Sequence, residues 1–564
     1  MRVDKVYIED FKNLKRFWID LDQDQMNSVL LGQNATGKSN FIEALIEIFK
    51  NLDLSKSGSR RYPAFKYWIQ YQCRGNQISI DYTSSSYTIQ VNEEPKPIQY
   101  TKFFSDEGKR TYLPKYVFTY YSGISNRLDQ LFWEHQKNFY SKIIKPDFEA
   151  KELDDLRRLF YVKQIHSFFV LLAFFALPSI EKKSKDFLNN VLGIEDLESI
   201  LFIIKKGGWT GKGDPRFWGA DGLVKNFLSV LWAHSLAPIY EDKTVDIDFR
   251  SQETQKRLYL YLKDKSKLKA FAKEYFSVSG EKPSNTFLFK ALESTYISEM
   301  LEEVKVKVKK KKDGEVSFRE LSEGEQQLLT VIGLLIFTRE DESLVLLDEP
   351  DTHLNPLWKY DYLHYLKTLV KSKDDLVSNK PEDTIAEDRT TQIIINTHDP
   401  LVIGSMVKSQ VRIFGKESKS HETDADEISQ KFIKRAVNQA VEPDTDPQGQ
   451  GVAGILTSEL FGLPTILDKS TQIKLNKKRY LQGKNMRTTL KGKEKEEYLS
   501  LKKEMEGYGF YEESEDYWFK EYLKEMSKVE AFQKASFTDK EMTDLKKRSQ
   551  EIALKIAARR KETK

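Results

Sequence analysis

One loop limits what this chain can fold into more than any other feature of its sequence. Residues 28–31, SVLL, form an apolar strand pattern, and residues 39–49 carry apolar side chains at helical spacing. Between them lies the segment GQNATGKS, residues 32–39. A glycine-rich turn from a strand into a helix directs backbone N–H groups toward an anion at the positive end of that helix. The sequence therefore predicts an α/β domain built around a phosphate-binding loop.

Two side chains in this loop have specific predicted roles. Lys38 is predicted to supply a positive charge to the β- and γ-phosphates of ATP, and the Ser39 hydroxyl is predicted to bind Mg²⁺. A chance glycine-rich turn is the alternative, and the flanking strand and helix argue against it. The predicted nucleotide-binding positions in this segment are Gly32, Gln33, Asn34, Ala35, Thr36, Gly37, Lys38, Ser39 and Asn40.

A second strand pattern ends in two carboxylates. Residues 344–347, LVLL, are uniformly apolar, as in a strand that is buried on both faces, and Asp348 and Glu349 follow. Ligands of open α/β sheets bind at the carboxyl ends of the strands, so both carboxylates are predicted to lie at the site. Asp348 is predicted to hold Mg²⁺, and Glu349 to orient or deprotonate an attacking water. A solvated strand end is the alternative for this motif alone.

Two further motifs flank the acidic strand. Ser322, Gly324 and Glu325 precede an apolar helix pattern. Ser322 and Glu325 form a capping box, which explains part of the motif, whereas Gly324 gives the backbone freedom that a second anion-binding surface needs. His398 follows the apolar strand pattern QIIIN, and both a local hydrogen-bonding role and contact with the γ-phosphate are open to it.

In this order, the four motifs resemble those of the ATP-binding-cassette ATPases. The resemblance is greatest to their soluble branch, which includes structural-maintenance-of-chromosomes (SMC), double-strand-break-repair and overcoming-lysogenization-defect-like ATPases, and it covers residues 1–50 and 316–416. It implies hydrolysis of ATP with Mg²⁺. It also implies that residues 32–39 are the Walker A loop, residues 321–326 the signature motif, Asp348 and Glu349 the Walker B pair, Asp351 the start of the D-loop and His398 the switch histidine.

The same resemblance implies an assembly of copies. In such ATPases the signature motif of one subunit caps the nucleotide held by the Walker A loop of another, so a homodimer or larger homo-oligomer is expected. These ATPases also carry a glutamine in a loop between Walker A and the signature motif. No residue is assigned to that role here, although residues 120–128, YYSGISNRL, occupy the expected place.

A short segment near the C-terminus suggests a partner. Residues 449–463, GQGVAGILTSELFGL, resemble a stretch of the ATPase subunit of the Septu antiphage system, which is also found with some retrons. This resemblance implies an HNH nuclease partner, a role in sensing invasion and controlling cleavage, and contact with DNA or retron nucleic acid. A loop leading into an ordinary helix is the alternative. A DNA-repair or chromosome-associated ATPase that acts directly on DNA, and a mainly structural role of the nucleotide, are the other hypotheses.

The patterns divide the chain into four predicted regions. Alternating residues between about 60 and 123 predict strands, Asp313 and Gly314 predict the turn of a hairpin within residues 302–318, and residues 370–390 predict a polar surface excursion. The predicted regions are an ATPase lobe at 1–123, a mainly helical insertion at 124–285, a second ATPase lobe at 286–424, and a charged helical region for partner docking or assembly at 425–564.

Composition narrows the class of protein. The 564 residues are 39% hydrophobic, which is enough for a large core, and the net charge of +4 means that any basic surface must be local. The local candidate is a ribbon of lysines. These lysines could contact phosphates, or they could form the solvated face of a hairpin. The ribbon consists of Lys305, Lys307 and residues 309–312.

Other features bear on location and chemistry. The single cysteine, Cys73, excludes a disulfide framework and predicts a buried thiol in a reducing cytoplasm. The charged N-terminal segment lacks the apolar core of a signal peptide, and the apolar run at 168–180 is too short to cross a bilayer, so neither export nor a membrane is expected. No nuclease motif is found, and catalysis other than ATP hydrolysis would need another chain.

Overall fold

The protein is described here from a computed structural model. It describes residues 1–92, 94–123, 125–143, 145, 148, 158–177, 187–208, 212–246, 248–311, 314–317, 321–337, 342–369, 390–416, 427–487, 489–510, 525 and 539–562. The chain forms two compact units, Met1–Leu463 and Pro464–Lys564. The four regions predicted from sequence remain predictions.

The first unit contains all the strands of the described residues. They are β1 (Arg2–Phe11), β2 (Leu14–Asp20), β3 (Asn27–Leu31), β4 (Tyr67–Cys73), β5 (Asn76–Tyr82), β6 (Thr88–Val91), β7 (Val117–Tyr121), β8 (Leu159–Val162), β9 (Ile194–Lys205), β10 (Ile239–Asp246), β11 (Gln252–Leu262), β12 (Leu301–Lys310), β13 (Gly314–Ser317), β14 (Leu344–Asp348), β15 (Gln392–Asn396), β16 (Val411–Lys416) and β17 (Asn438–Val441).

The helices of the first unit pack on both sheets. They are α1 (Lys38–Leu54), α2 (Tyr100–Phe103), α3 (Asp106–Tyr112), α4 (Arg127–Ile143), α5 (Ile165–Ala176), α6 (Gly222–His234), α7 (Lys265–Ser279), α8 (Asn285–Ile297), α9 (Glu323–Phe337), α10 (Pro356–Leu369), α11 (Pro400–Ile403), α12 (Glu427–Arg435) and α13 (Gly451–Thr457), with a π-helical turn at Phe187–Val191 and 3₁₀ turns at Pro215–Phe217 and Lys408–Gln410.

A twelve-stranded mixed sheet organises the first unit, in the order β6-β5-β4-β1-β2-β17-β16-β3-β15-β14-β7-β8. Strands β16, β3, β15, β14, β7 and β8 are mutually parallel, whereas β1, β2, β4, β5 and β6 pair antiparallel. Strands β3, β14 and β15 are buried along their whole length, as their continuous apolar sequences predict. The predicted α/β fold with a mixed sheet is confirmed.

The parallel core brings four strand ends to one edge. Asp348 at the end of β14 is in register with Asn396 at the end of β15 and with Tyr121 at the end of β7. Asn396 is in register with Leu30 near the end of β3. The loop that follows β3 and the carboxylates that follow β14 therefore emerge side by side.

A second sheet has five strands in the order β10-β11-β9-β12-β13. The predicted hairpin is confirmed by the antiparallel pairing of β12 with β13, although Asp313 lies outside the described residues. The predicted helical insertion contains helices α4 to α7, but its described residues also form β8, β9, β10 and β11, which the sequence analysis did not predict. Strand β10 is exposed along almost its whole length, so it lacks the apolar alternation that indicates a half-buried strand.

Three other predictions concern single segments. The apolar run at 168–180 forms the buried helix α5 in its described part, as predicted. Cys73 is buried, and burial raises the pKa of its thiol to about 11, which keeps the thiol protonated. The segment predicted to be β-rich also contains α2 and α3, whereas the predicted excursion at 370–390 falls almost wholly outside the described residues.

A partly buried polar cluster ties the end of α1 to two other elements. The Asp53 carboxylate lies 2.9 Å from Nε2 of His135 on α4 and accepts a 2.9 Å hydrogen bond from Nε of Arg158, just before β8. Burial opposes the charge of Asp53, but His135 and Arg158 together hold the pKa of this carboxyl below its ordinary value. We call these three residues the Asp53 cluster.

The second unit is helical in its described part. Its helices are α14 (Lys469–Arg487), α15 (Lys493–Gly507) and α16 (Asp539–Glu562). Ion pairs join Lys474 to Glu504 and Lys484 to Glu494, which shows that α14 and α15 run antiparallel. Across the described part of both units, no helix combines the length and apolar character needed to span a bilayer.

Candidate functional site

The loop between β3 and α1 has the backbone of a tight turn. Gly37 has φ = 108°, and a Cβ atom there would lie 2.5 Å from a Leu14 methyl group, so only glycine fits this position. Asn13 donates a 2.5 Å hydrogen bond to the Ala35 carbonyl, and Asn40 donates one of 2.7 Å to Asn13. These hydrogen bonds hold the loop against the turn between β1 and β2.

The predicted loop residues lie together around the Lys38 amine. Lys38 is buried, and its Nζ donates hydrogen bonds of 2.7 Å to the Gly32 carbonyl and 3.0 Å to the Gln33 carbonyl. Thr36 also donates to the Gln33 carbonyl, at 2.8 Å. The tip of the loop, residues 33–35, which includes Asn34, is exposed. The tip of the loop is therefore accessible to a ligand, and the buried ammonium group of Lys38 lies beneath it.

Burial of the Lys38 amine makes it less basic than an exposed lysine. It lowers the pKa of Lys38 to about 8, and the negative charges of Glu349 and Asp348 limit the decrease. The ammonium form is still the main form at neutral pH. A polyphosphate in the loop would stabilise that form further, because it places more negative charge beside the amine.

The predicted metal ligands lie within hydrogen-bonding distance of each other. The Ser39 hydroxyl donates a 3.1 Å hydrogen bond to Oδ1 of Asp348, and Asn396 donates to the same carboxylate oxygen. Asp348 is fully buried, burial raises the pKa of its carboxyl, and its Oδ2 has no hydrogen-bond partner. A hydroxyl and a buried carboxylate that lacks one partner form a donor set that suits Mg²⁺.

This donor set is incomplete without a ligand. The described residues include no group of three or more His, Cys, Asp and Glu side chains that could hold a metal ion by themselves. Mg²⁺ commonly takes one or two protein ligands and completes its shell with phosphates and water. Ser39 and Asp348 would hold the ion, which would neutralise charge on the phosphates when it is bound.

Glu349 and His398 face each other at the sheet edge. Nε2 of His398 lies 3.6 Å from Oε1 of Glu349, and both side chains are partly exposed. Glu349 has φ = 53°, a left-handed conformation that is uncommon outside glycine, and its N–H donates a 2.8 Å hydrogen bond to the Asn396 carbonyl. Burial and the neighbouring Lys38 lower the pKa of His398, so its ring is neutral at pH 7.

Asp351, the predicted start of the D-loop, is buried behind this edge. Its Oδ2 accepts a 3.0 Å hydrogen bond from Thr397, and burial raises the pKa of its carboxyl to about 6. Thr397 directly precedes His398, so Asp351 fixes the segment that carries the histidine. After the neighbouring strand β7, the backbone N–H of Ser122 donates a 3.2 Å hydrogen bond to the Asp348 carbonyl.

Three polar residues of this site were missed by the sequence analysis. Asn13 and Asn396 make the contacts described above, and Arg127 lies at the start of α4 with its guanidinium 3.9 Å from Oδ2 of Asp348. Nε of Arg127 is buried without a hydrogen-bond partner, and the guanidinium lies 5.4 Å from the centre of the Tyr121 ring. Arg127 belongs to the segment where the family's loop glutamine was expected.

The predicted signature residues form a separate cluster. Ser322 and Glu325 make the reciprocal capping-box hydrogen bonds, at 2.8 Å and 3.3 Å, and Lys310 bonds to Glu325 at 2.7 Å. A Cβ atom on Gly324 would lie 2.5 Å from the His353 carbonyl, just after the acidic strand end. In the part of the chain that the structure describes, none of these contacts reaches Lys38 or Asp348.

Comparison with protein families identifies the domain. A family model described as "AAA domain, putative AbiEii toxin, Type IV TA system" matches residues 28–404, which is more than half of the chain. The chain belongs to this family. Its AAA domain, an ATPase domain, therefore includes β3, the loop after it, α1, the acidic end of β14 and His398. No curated protein sequence matched the chain.

Two solved structures of SMC head domains are distant matches to this AAA protein. The SMC head domain from Thermotoga maritima has 12% sequence identity and a TM-score of 0.27, over 74% of this chain and 95% of that one. The Smc head domain from Pyrococcus furiosus, bound to the C-terminal domain of ScpA, has 12% identity and a TM-score of 0.28, over 73% and 93%. The fold of this chain is defined by its own strand order.

The pKa of Lys38 leads to a prediction about nucleotide affinity. Because the free amine titrates at about 8, raising the pH from 7 to 9 should weaken ATP binding about tenfold if the bound amine stays protonated. Calorimetric titration in buffers of different ionisation enthalpy should show proton uptake on binding at about pH 8.5. Equal affinity across this range, without proton uptake, would contradict the prediction.

Arg127 is predicted to act on turnover more than on binding. A guanidinium beside Asp348 is close enough to stabilise charge that develops on a transferring phosphoryl group, so Arg127→Gln should lower turnover about 10- to 100-fold. ATP affinity should change by less than about fivefold, since Lys38 and the loop backbone remain. Steady-state phosphate release and equilibrium titration separate the two effects. Unchanged turnover would show that Arg127 has only a structural role.

Proposed function

We propose that this chain binds ATP with Mg²⁺ and hydrolyses it at sites that a second copy completes, and that it controls an HNH nuclease in an antiphage defence complex. One observation carries the first part of the proposal. Ser39 and Asp348 are 309 positions apart in sequence, yet their side chains lie 3.1 Å apart at the edge of the parallel sheet, beside the buried amine of Lys38.

Each group at the site has a chemical task in the proposed reaction. Lys38 binds the β- and γ-phosphates, while Ser39 and Asp348 hold Mg²⁺. Glu349 orients the attacking water and accepts its proton, and the neutral ring of His398, 3.6 Å away, contacts the γ-phosphate. Arg127 adds positive charge on the side of β7. Charge that develops on the phosphate oxygens is thus countered from several directions.

The second copy enters the proposal because the signature residues lie apart from the loop. Ser322 is exposed at the N-terminus of α9, a helix of 15 residues, and the positive end of a helix dipole favours an anion. A head-to-tail partner would bring this helix end to the nucleotide held by the other chain. The sites would then number two per dimer, each with residues from both copies.

A mixing experiment tests the composite site directly. Lys38→Ala removes the phosphate charge of a chain's own site, and Ser322→Arg blocks the surface that the chain offers to its partner. Each variant alone should be inactive, whereas an equal mixture should recover about a quarter of wild-type turnover, because half of its dimers contain one intact site. A mixture as inactive as the two separate variants would contradict a shared site.

We propose that residues 449–463, the segment that resembles the Septu subunit, bind the HNH nuclease and link it to the ATP site. Helix α13 of this segment packs against α11, the short helix that begins two residues after His398: Ile455 is fully buried, and a Cβ atom on Gly404, just after α11, would lie 3.6 Å from the Ile455 methyl group. Gln448 donates a 3.0 Å hydrogen bond to the Met406 carbonyl. The segment is therefore connected to His398 through the short helix α11.

The outer side of this segment offers apolar side chains to a partner. Val452 is 40% exposed and Leu463 is 44% exposed. The family description, which names a type IV TA system, fits a role in a multi-component system. A role in a defence complex gains support if this surface binds the product of an HNH nuclease gene that neighbours the gene of this chain.

Substitution of the two exposed residues tests this partner. Val452→Asp together with Leu463→Asp should weaken co-purification of the neighbouring HNH nuclease by about tenfold or more, because charge would enter an apolar contact. The control is Leu499→Asp, at a leucine that is 53% exposed in the second unit. ATP turnover of the purified chain should be unchanged in both variants. Full recovery of the nuclease with the double variant would contradict the proposed surface.

A further inference from the structure

The five-stranded sheet has one face packed in the main core and a second face that is partly exposed, with Ile203 of β9 buried there between Tyr259 and Glu303. Alternate residues of β11 and β12, including Leu258, Leu260, Val304 and Val306, are buried in the main core beneath α5, α7 and α8. The residues between them point the other way, since successive side chains of a strand alternate between faces. Lys305, Lys307 and Lys309 are exposed on this second face.

Two tyrosines share the face with these lysines. Tyr259 and Tyr261 on β11 are partly exposed and lie about 7 Å apart along the strand. The register places Tyr261 opposite Leu201 of β9, and Leu201 opposite Lys305 of β12. An aromatic ring and an ammonium group are therefore in one row across the sheet, two strand spacings or about 10 Å apart.

The charge of the face favours an anionic partner. Lys307 lies opposite Ser199 of β9 and Ser317 of β13, whereas Lys309 lies opposite Glu315. Lys305 lies 3.9 Å from Glu303, which is a long contact for an ion pair. Lys205 adds a further positive charge to this face, opposite Arg257, whose own guanidinium is buried and paired with Glu302 at 2.5 Å. Lysines in a row on a flat sheet supply phosphate contacts, whereas aromatic rings on the same sheet supply stacking surfaces for unpaired bases.

We propose that a single-stranded nucleic acid binds across this face, with bases stacked on Tyr259 and Tyr261 and phosphates held by Lys305, Lys307 and Lys309. The spacing of the two rings is close to that of successive bases in an extended strand. A duplex would leave the rings unused, because its bases already stack on each other. The inference goes beyond ATP hydrolysis and does not depend on it.

The test measures the binding of a fluorescent oligothymidylate of about 20 nucleotides to the full chain by anisotropy, over a range of salt concentrations. The wild-type chain should bind it, and affinity should fall as salt rises. Changing Lys305, Lys307 and Lys309 to Gln should weaken binding and reduce the slope of log affinity against log salt by about 2. Changing the same three to Arg should preserve both quantities.

The tyrosines are tested with the same probe. Changing Tyr259 and Tyr261 to Leu should weaken binding by about tenfold or more without changing the salt slope, whereas changing them to Phe should preserve affinity. Thermal unfolding and ATP turnover should match the wild-type chain in every variant, because these side chains lie outside the ATP site.

Three outcomes would overturn the proposal. The first is no binding of the oligonucleotide by the wild-type chain at low salt. The second is equal loss when three exposed lysines of the second unit, Lys469, Lys491 and Lys493, are changed to Gln, which would show that only net charge matters. The third is equal binding of a duplex of about 20 base pairs together with no effect of the leucine substitutions, which would show backbone contact alone.

Discussion

Glu349→Gln is expected to lower ATP turnover by about 10²- to 10⁴-fold while ATP still binds. The substitution keeps the size and hydrogen bonding of the side chain but removes the carboxylate that accepts a proton from water. The loop, Lys38 and the pair of Ser39 and Asp348 are untouched, so affinity for ATP should stay within about threefold of the wild-type value. Phosphate release measures the first effect, and equilibrium titration measures the second.

The same variant should reveal the assembly. If hydrolysis separates the two copies, a chain that binds ATP without cleaving it should accumulate as a dimer, and light scattering should show a doubled mass only with Mg-ATP. Glu47→Gln is the matched control, since Glu47 pairs with Lys50 on α1, away from the loop. Normal turnover in Glu349→Gln would exclude Glu349 as the base. A constant mass with bound ATP would instead exclude the ATP-dependent dimer.

Lys38→Ala is expected to weaken ATP binding by at least about 100-fold, because it removes the charge-assisted contact to the β- and γ-phosphates. The lost turnover should follow the lost binding. Stability should not decrease in parallel: burial lowers the pKa of Lys38 to about 8, so the folded protein holds this ammonium at an energetic cost. Thermal unfolding without nucleotide should therefore give a midpoint at or slightly above that of the wild-type chain.

Lys50→Ala provides the comparison for this substitution. Lys50 lies on the same helix and forms a partly buried ion pair with Glu47 away from the loop, so its loss should affect neither binding nor turnover. Wild-type affinity in Lys38→Ala would mean that the loop does not hold the phosphates. Equal loss in both variants would point instead to damage of α1.

Local sequence was sufficient for the parts of the site that one segment builds. The loop around Lys38 lies between a strand and a helix that its own neighbours define, and β14 is recognisable because every residue before Asp348 is apolar. The capping box of Ser322 and Glu325 is present as predicted. Each of these patterns is short in range, so no knowledge of the fold was needed. The catalytic and binding roles assigned to these residues remain predictions.

Sequence alone could not assign residues whose role depends on a distant neighbour. Arg127 begins an ordinary helix, and only the pairing of β7 with β14 brings it to Asp348. Asn13 lies in a strand turn and reaches the loop from a different element. Asn396 could have been predicted as a site residue, since it ends the QIIIN strand two residues before His398, which was predicted to contact the γ-phosphate.

The Asp53 cluster has a mechanical consequence for how the site can open. Helices α1 and α4 both begin at the site, at Lys38 and at Arg127, and the contact of Asp53 with His135 joins them again farther along. Helices α1 and α4 are thus held together both at the strand ends of the site and at the contact between Asp53 and His135. Separation of α1 from α4 would break the 2.9 Å contact between Asp53 and His135. In the proposed head-to-tail dimer, product release is therefore expected to follow separation of the two copies.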